Sequence, residues 1–298
     1  MDEHKLLAER FEANRARLRS VAYRMLGSLS EADDAVQETW LRLSRADTRN
    51  VENLSGWLTT VVARVCLDVL RARKARPEAP VAAHVPDPVV SREDSGTPEQ
   101  QALFADAVGL ALIVVLETLE PAERLAFVLH DMFAVPFNEI GAIVGRTPTA
   151  VRQLASRGRR RVQGAAPAPD VDLGRQREVV NAFLAASRRG DLEALVAVLD
   201  PAVVLRGDRG PAAPPEASRM VRGADEVVNG VLAGARTAGD KRIDRPVLVN
   251  GTAGVVVFVD GQPYSVLGFT VIQGKITEIN VLADPERLRQ LDLASFNA

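Results

Sequence analysis

Arg152, Gln153 and Ser156 share one face of a predicted helix that begins at Thr147-Pro148, with Thr149 and Arg157 beside them. Side chains of these types read duplex DNA, because Arg prefers guanine and Gln prefers adenine in the major groove. Arg146, Arg157 and Arg160 are placed to grip phosphates, contacts that set position rather than sequence. The apolar residues explain how such a face would be held. Val151 and Leu154 point away from it, and in the preceding segment Phe137, Ile140, Ile143 and Val144 recur at helical spacing. Gly145 stops that first helix, Thr147 can cap the second, and Pro148 suits its first turn. Two helices, a Gly turn and a cationic outer face extending to Arg159–Arg161 describe a helix-turn-helix that enters a DNA groove. The same pattern fits an ordinary helical hairpin with a solvated charged end, so this stretch alone leaves both readings open.

A second row of chemistry lies on a helix predicted from Leu54 to about Lys74. Leu58, Val61, Val62, Val65 and Val69 form its buried side. Its other side carries Trp57, Thr60, Arg64, Asp68 and Arg71, and runs out into Arg73, Lys74 and Arg76. An aromatic beside cations suits unpaired DNA, since bases stack on rings while phosphates meet the charges. The alternative is that Trp57 closes the core and Arg64–Asp68 is a surface ion pair worth a few tenths of a kcal/mol. Before it, residues 5–43 read as helix broken at Gly27-Ser28, with an apolar stripe of Leu18, Val21, Ala22, Met25 and Leu26. Ser30 is positioned to cap the second part, where Val36, Trp40 and Leu43 point one way. Asp34, Gln37, Glu38 and Leu41 offer an acidic, partly apolar surface on the other side.

The totals exclude several classes. A chain of 298 residues with 47% hydrophobic and 26% charged side chains is a soluble protein of two or three domains. Its longest apolar run, Ala107–Leu116, is too short to span a bilayer, so no membrane partner is expected. The acidic start Met1-Asp2-Glu3-His4 is not a signal sequence. One cysteine, Cys66, excludes an internal disulfide and a thiolate zinc cluster, which fits a reducing cytoplasm with no metal or cofactor. Residues 77–111 carry one Arg against six acids, yet the whole-chain charge is only −2, so nucleic-acid binding rests on local clusters.

Proline and small residues mark breaks at 77–97 and 164–172, with helices Pro98–Leu116 and Pro121–Met132 between them. Five segments result: 1–76, a tether at 77–97, 98–163, a second tether at 164–172, and 173–298. In the last, Arg175–Arg188 reads as helix, Asp191 caps another ending near Leu199, and Met220–Ala235 forms a third. Strands follow in RIDRPVLVN, GVVVFVD, YSVLGFTVI and KITEINVLA, with turns at Asp260-Gly261 and Gln273-Gly274-Lys275. The fold class expected is multidomain: two all-α domains, the second with the helix-turn-helix, and a C-terminal α+β cone with a curved antiparallel sheet.

The acidic helix EADDAVQETWLRL, the segment GWLTTVVARVCLDVLRARKAR and the closing helix-turn-helix together resemble the extracytoplasmic-function class of RNA polymerase sigma factors. The resemblance spans residues 8–163. It implies that Asp34, Gln37, Glu38, Trp40 and Leu41 face core RNA polymerase, on the clamp of its β′ subunit. It further implies that Asn53, Trp57, Thr60, Arg64, Asp68, Arg71, Arg73 and Lys74 serve the −10 element of promoter DNA. Arg146, Thr149, Arg152, Gln153, Ser156, Arg157 and Arg160 would serve the −35 element. Val65-Cys66 stands where relatives usually carry an Asn-containing pair.

The C-terminal order resembles a SnoaL-like, NTF2-type cone, which a subclass of these sigma factors carries. His84-Val85-Pro86-Asp87-Pro88 resembles that subclass's WLPEP-like tether motif, and Asp284-Pro285-Glu286-Arg287-Leu288 its NPDKL-like terminal motif. Its DGGGK-like signature is represented at best by Gly207-Asp208-Arg209-Gly210-Pro211. Val85, Pro86, Asp87, Asp284, Pro285 and Arg287 are thereby implied as regulatory contacts. Relatives of the cone form apolar pockets, so a small apolar ligand is a further partner. Some work as enzymes through an Asp/His pair; histidine occurs here only at 4, 84 and 130, outside the cone, so no catalysis is expected. Asp208 and Asp260 are the nearest candidate bases, but each adjoins glycine, as turn residues do. The expected function is promoter selection and transcription initiation, regulated in cis by the cone and involving β and β′. The alternative is a ligand-sensing DNA-binding regulator that acts without core polymerase and has no use for the acidic helix.

Overall fold

The computed structural model describes residues 2–46, 51–75, 83–92, 109–165, 170, 172–214, 217–239, 241–291 and 293–296. The loop before Asn53, both tethers and the predicted helix from Pro98 fall partly or wholly outside them. Contacts divide the chain into two compact units. One comprises residues 1–78, 98–106 and 112–166; the other comprises 79–97, 107–111 and 167–298. No helix among the described residues is long and apolar enough to cross a membrane.

In the first unit α1 (Asp2–Leu26), α2 (Leu29–Arg45) and α3 (Leu54–Ala75) pack on one another. Phe11, the Leu18–Leu26 stripe, Val36, Leu43, Leu58 and Val62 are almost wholly buried between them. Cys66 is buried there too, and burial pushes its thiol up to about 12, so it packs and does not react. Ser28, not Ser30, caps α2: it is extended and its hydroxyl accepts from the Glu31 amide. Gly27 ends α1 with φ of +73°, so only Gly27 and Ser28 separate the helices.

Then come α4 (Leu110–Glu117), α5 (Pro121–Phe127), α6 (Phe137–Val144) and α7 (Pro148–Ala165). The helix expected to run through Met132 instead widens into a π turn at Val128–Met132, where His130 Nδ1 lies 3.1 Å from the Val135 carbonyl. Hydrophobic periodicity carries no mark of that change. The α6–α7 turn is as the residues dictate. Gly145 has φ of +68°, Thr147 Oγ accepts from the Ala150 amide, and Ile140, Val151 and Leu154 are buried.

The second unit holds α8 (Leu173–Arg189), α9 (Leu192–Val198), α10 (Ala224–Ala238) and α11 (Pro285–Gln290). Its strands are β1 (Val90–Ser91), β2 (Leu199–Asp208), β3 (Arg219–Arg222), β4 (Arg242–Val249), β5 (Thr252–Val259), β6 (Gln262–Ile272) and β7 (Lys275–Leu282). They form one sheet in the order β1-β4-β5-β6-β7-β2-β3, antiparallel except where β2 runs parallel to β7. Two of these strands correct the reading from sequence. Met220 lies in β3, so the third helix starts at Ala224, and the run after α9 is strand β2. The β4–β7 meander is as predicted, with left-handed residues Asp260-Gly261 and Gln273-Gly274 at its turns.

The sheet has two apolar faces. One packs Val255, Val257, Phe269 and Ile279 against Val180, Phe183 and Leu184 of α8 and Val227 of α10. The other packs Val247, Val249, Val256, Phe258 and Leu282 against Val85, Leu110, Leu288, Leu293 and Phe296. Covering the sheet on both sides explains why β5 is buried along nearly its whole length.

The helix-turn-helix turn yields a paired test. A Cβ on Gly145 would meet nothing within 4 Å, so Gly145→Ala bears only the left-handed backbone cost of about 1–2 kcal/mol. A Cβ on Gly141 would sit 2.7 Å from the Arg146 carbonyl oxygen. Urea unfolding should therefore rank Gly141→Ala as the more destabilised variant.

Candidate nucleic-acid interface

The α2 face divides as its spacing requires. Asp34 and Gln37 are exposed, Leu41 is 38% exposed, and Glu38 is half-buried and bonded to Arg42 Nε at 2.8 Å. Trp40 differs from the others: its ring packs on Phe11 at 5.1 Å and is half-buried, so it braces α2 on α1 while showing one edge. The result is an acidic ridge with an apolar crest, able to dock on a basic protein surface.

On α3 the cationic row is exposed, but several members already have partners. Arg64 donates to the Ala142 carbonyl of α6 at 3.1 Å. Arg73 donates to the Leu26 carbonyl at 3.1 Å and pairs with Glu31, while Lys74 pairs with Glu120. The expected Arg64–Asp68 pair does not form; Asp68 faces Arg71 at 3.9 Å instead. Trp57 and Thr60 are half-buried, and Thr60 Oγ donates to the Gly56 carbonyl at 3.0 Å. Asn53 has a structural task as well, its Oδ1 accepting the Gly56 amide at 3.0 Å and so capping α3.

On α7, Thr149, Arg152, Gln153, Ser156 and Arg160 are exposed along one face, with Arg146 just before it. Arg152 lies over the Phe137 ring, 5.4 Å from its centre. Arg157 and Arg161 reach the buried Glu123 carboxylate at 3.0 and 3.2 Å, and Arg159 pairs with Asp131. Sequence spacing could not reveal these partners, because they come from α5 and the π turn.

The second unit holds a more constrained cluster. Arg287 Nε donates to Asp87 at 2.7 Å, one terminal nitrogen to Asp208 at 2.9 Å, and the other to the Val85 carbonyl at 2.6 Å. The Val85 amide donates back to Asp208 at 3.0 Å, and His84 Nδ1 lies 3.1 Å from the same carboxylate. The fastening continues downstream: β1 pairs with β4, Val89 and Asn250 exchange hydrogen bonds, and Arg92 bonds the Ser295 carbonyl. Asp284 caps α11, which presents Arg287. Pro86 is buried here, and Pro285 starts α11 in its first turn. Residues 84–92 are thus clasped onto the sheet.

Asp208 was the overlooked member. As a turn residue beside Gly207 it passed for a candidate base, yet its carboxylate is the clasp's central acceptor. Burial alone would raise its pKa, but hydrogen bonds from His84, Val85 and Gly210 and the Arg287 charge together hold it far below the usual carboxylate range. The GDRGP stretch does carry a signal. Gly210 has φ of +77°, bonds back to Asp208 at 3.0 Å, and leaves no room for a Cβ beside Asp284. An Asp/His pair therefore exists after all, with its histidine supplied by the tether. Asp260 is a turn residue, paired with Lys241 at 2.6 Å.

Comparison with known proteins follows these features. Residues 10–76 match the family model "Sigma-70 region 2", and residues 109–162 match "Sigma-70, region 4". The chain is 40% identical over 288 residues to the ECF RNA polymerase sigma factor SigJ of Mycobacterium tuberculosis, covering 93% of this chain and 91% of that one. It is 36% identical to the probable ECF RNA polymerase sigma factor SigI of the same species, covering 98% of each. The crystal structure of SigJ superposes with a TM-score of 0.76 at 38% identity, covering 96% of this chain and 99% of that one.

The clasp has a measurable worth. Arg287→Ala leaves the buried Asp87 and Asp208 carboxylates without their cation, a loss of about 3–5 kcal/mol. Hydrogen exchange at Val85 and Val89 should accelerate accordingly, and Arg287→Lys should not restore it, because an ammonium cannot serve three divergent acceptors. Since the Asp208 pKa is depressed, its contribution is complete above about pH 4 and fades only on further acidification. Protection of Val85 should hold level from neutrality down to that range.

Proposed function

Because this chain belongs to the extracytoplasmic-function RNA polymerase sigma factors, we propose that its separate faces divide the work of promoter engagement. It directs core RNA polymerase to promoter DNA and starts transcription there. The exposed ridge of Asp34, Gln37, Glu38 and Leu41, edged by Trp40, docks on the β′ clamp, with β completing the seat. Trp57 and Thr60 on α3, with Arg64, Asp68, Arg71, Arg73 and Lys74, hold the unpaired −10 strand, and Asn53 orients that helix. On α7, Arg152, Gln153, Ser156 and Thr149 read the −35 duplex, while Arg146, Arg157 and Arg160 hold its phosphates. Residues 1–76, 98–163 and 173–298 act as three modules. The polymerase partner makes the cytoplasm the working compartment.

The observation that carries this reading is the commitment of the same cations to partners in the free chain. Arg64 on the Ala142 carbonyl, Lys74 on Glu120 and Arg157 on Glu123 tie the −10 and −35 helices to one unit. The exposed Lys74–Glu120 pair is worth at most about 1 kcal/mol, so polymerase and DNA can displace it at modest cost, whereas Arg157 can leave the buried Glu123 carboxylate only because Arg161 also holds it. We read the clasp of Val85, Pro86 and Asp87 by Asp284, Pro285 and Arg287 as the cis-acting control. It fixes the middle of the tether between the two DNA-binding modules on the cone, and so limits how freely they separate. The cone works without turnover, because Asp208 is committed to Arg287, His84 and Val85. Its interior remains available to a small apolar partner.

A run-off assay with purified core polymerase and a promoter pool tests the reading. Asp34→Lys with Glu38→Lys should abolish core binding and transcripts together. Arg152→Ala should relax base preference at −35, whereas Arg160→Ala should weaken all promoters alike and flatten the salt dependence. Full activity in the double charge reversal would favour a regulator that never joins polymerase. Deleting residues from 284 onward should change transcript yield, and an unchanged yield would remove the clasp from the control of initiation.

A further inference from the structure

The cone encloses a cavity of about 150 Å³ whose chemistry is distinct from that of the clasp. Its walls are apolar, built from Phe183, Leu205, Val231, Val257, Leu267 and Ile279. Small residues on α10 make the room: Gly230 and Gly234 lie one turn apart and both line it. Two other lining residues, Ser187 and Tyr264, have buried hydroxyls with no hydrogen-bond partner among the described residues. Buried hydroxyls are ordinarily bonded, so this pair calls for a polar group. Arg209 and Arg219 also line the cavity and are exposed, and neither guanidinium has a partner among the described residues. Arg242 is committed to Asp244 at 2.6 Å, and Asp208 to the clasp, so among the described residues the uncompensated charge at this site is positive.

Size, walls and charge select one chemical class. A cavity of about 150 Å³ accommodates a molecule the size of benzene, not a polycyclic one. Two guanidiniums with no partner among the described residues favour a carboxylate, which such forks bind bidentately. We propose that the cone binds a small carboxylic acid bearing a single ring, with the ring against Phe183 and Leu205 and the carboxylate on Arg219 and Arg209. The unpartnered hydroxyls then take a polar ring substituent. Asp208 lines the same cavity and holds Val85, so the occupant touches the residue on which the tether depends. That regulatory part rests on the clasp acting as proposed above; the binding does not.

Calorimetry on the full-length chain tests both parts, with benzoate, 4-hydroxybenzoate, phenol and benzylamine as probes. The two benzoates should bind saturably, 4-hydroxybenzoate the tighter, and benzylamine should not bind. Arg219→Gln should weaken the benzoates tenfold or more. Gly234→Leu should abolish binding while preserving the fold, since a Cβ there meets nothing within 4 Å, leucine favours the helix and its side chain enters the cavity. Failure of both benzoates at millimolar concentration, equal binding of benzylamine, or binding indifferent to both variants overturns the site. By linkage, breaking the clasp with Arg287→Ala, or with the milder Asp87→Asn, should shift benzoate affinity at least threefold. Intact binding with unchanged affinity in both would leave the site standing and overturn its coupling to the tether.

Discussion

One guanidinium meets two carboxylates and a main-chain carbonyl that arrive from two distant parts of the chain. Asp87, Asp208 and Val85 are buried and Arg287 half-buried over them, so removing the cation leaves two buried carboxylates without it. That dependence makes the tether a structural member of the cone. It also supplies an edge strand and Val85, which is wholly buried in the outer core. Burying one such side chain contributes about 1.5–3 kcal/mol, so packing and charge act together.

The helical unit follows the opposite rule. The cations proposed to meet DNA have an exposed partner in Glu120 and a buried one in Glu123, and Arg152, Gln153 and Ser156, proposed to read bases, are held by a buried stripe on the far side of α7. The scaffold is rigid where Val151 and Leu154 pack, and on the proposed reading Lys74 exchanges only an exposed partner for nucleic acid. A protein that has to trade internal partners for nucleic acid gains from this division, since the exchange leaves the core untouched.

Much of this was legible in the residues because local rules governed it. Gly145, Thr147 and Pro148 dictate the helix-turn-helix turn, and the Leu18–Leu26 stripe dictates the α1 core. The turn pairs Asp260-Gly261 and Gln273-Gly274 dictate the β5–β6 and β6–β7 hairpins. What escaped was non-local. Strand β2 runs parallel to β7, a pairing that no short-range pattern announces, and β3 hides in a run whose hydrophobicity also suits a helix. His84 and Asp208 stand 124 positions apart. Spacing pairs neither with the other, and only the fold brings them within 3.1 Å. The partners of Arg157 and Arg64 were hidden for the same reason.

The edge strand contributed by Val90 and Ser91 has a further consequence. While it is seated, the main chain of β4 from Leu248 to Asn250 is satisfied, and the valine- and phenylalanine-rich outer face beneath Val85 stays shut from water. Letting the tether go uncovers an unpaired strand border beside a greasy surface, a combination that recruits any extended chain nearby. If the tether acts as the proposed control, freedom for the two helical modules and exposure of this border on the cone are the same event.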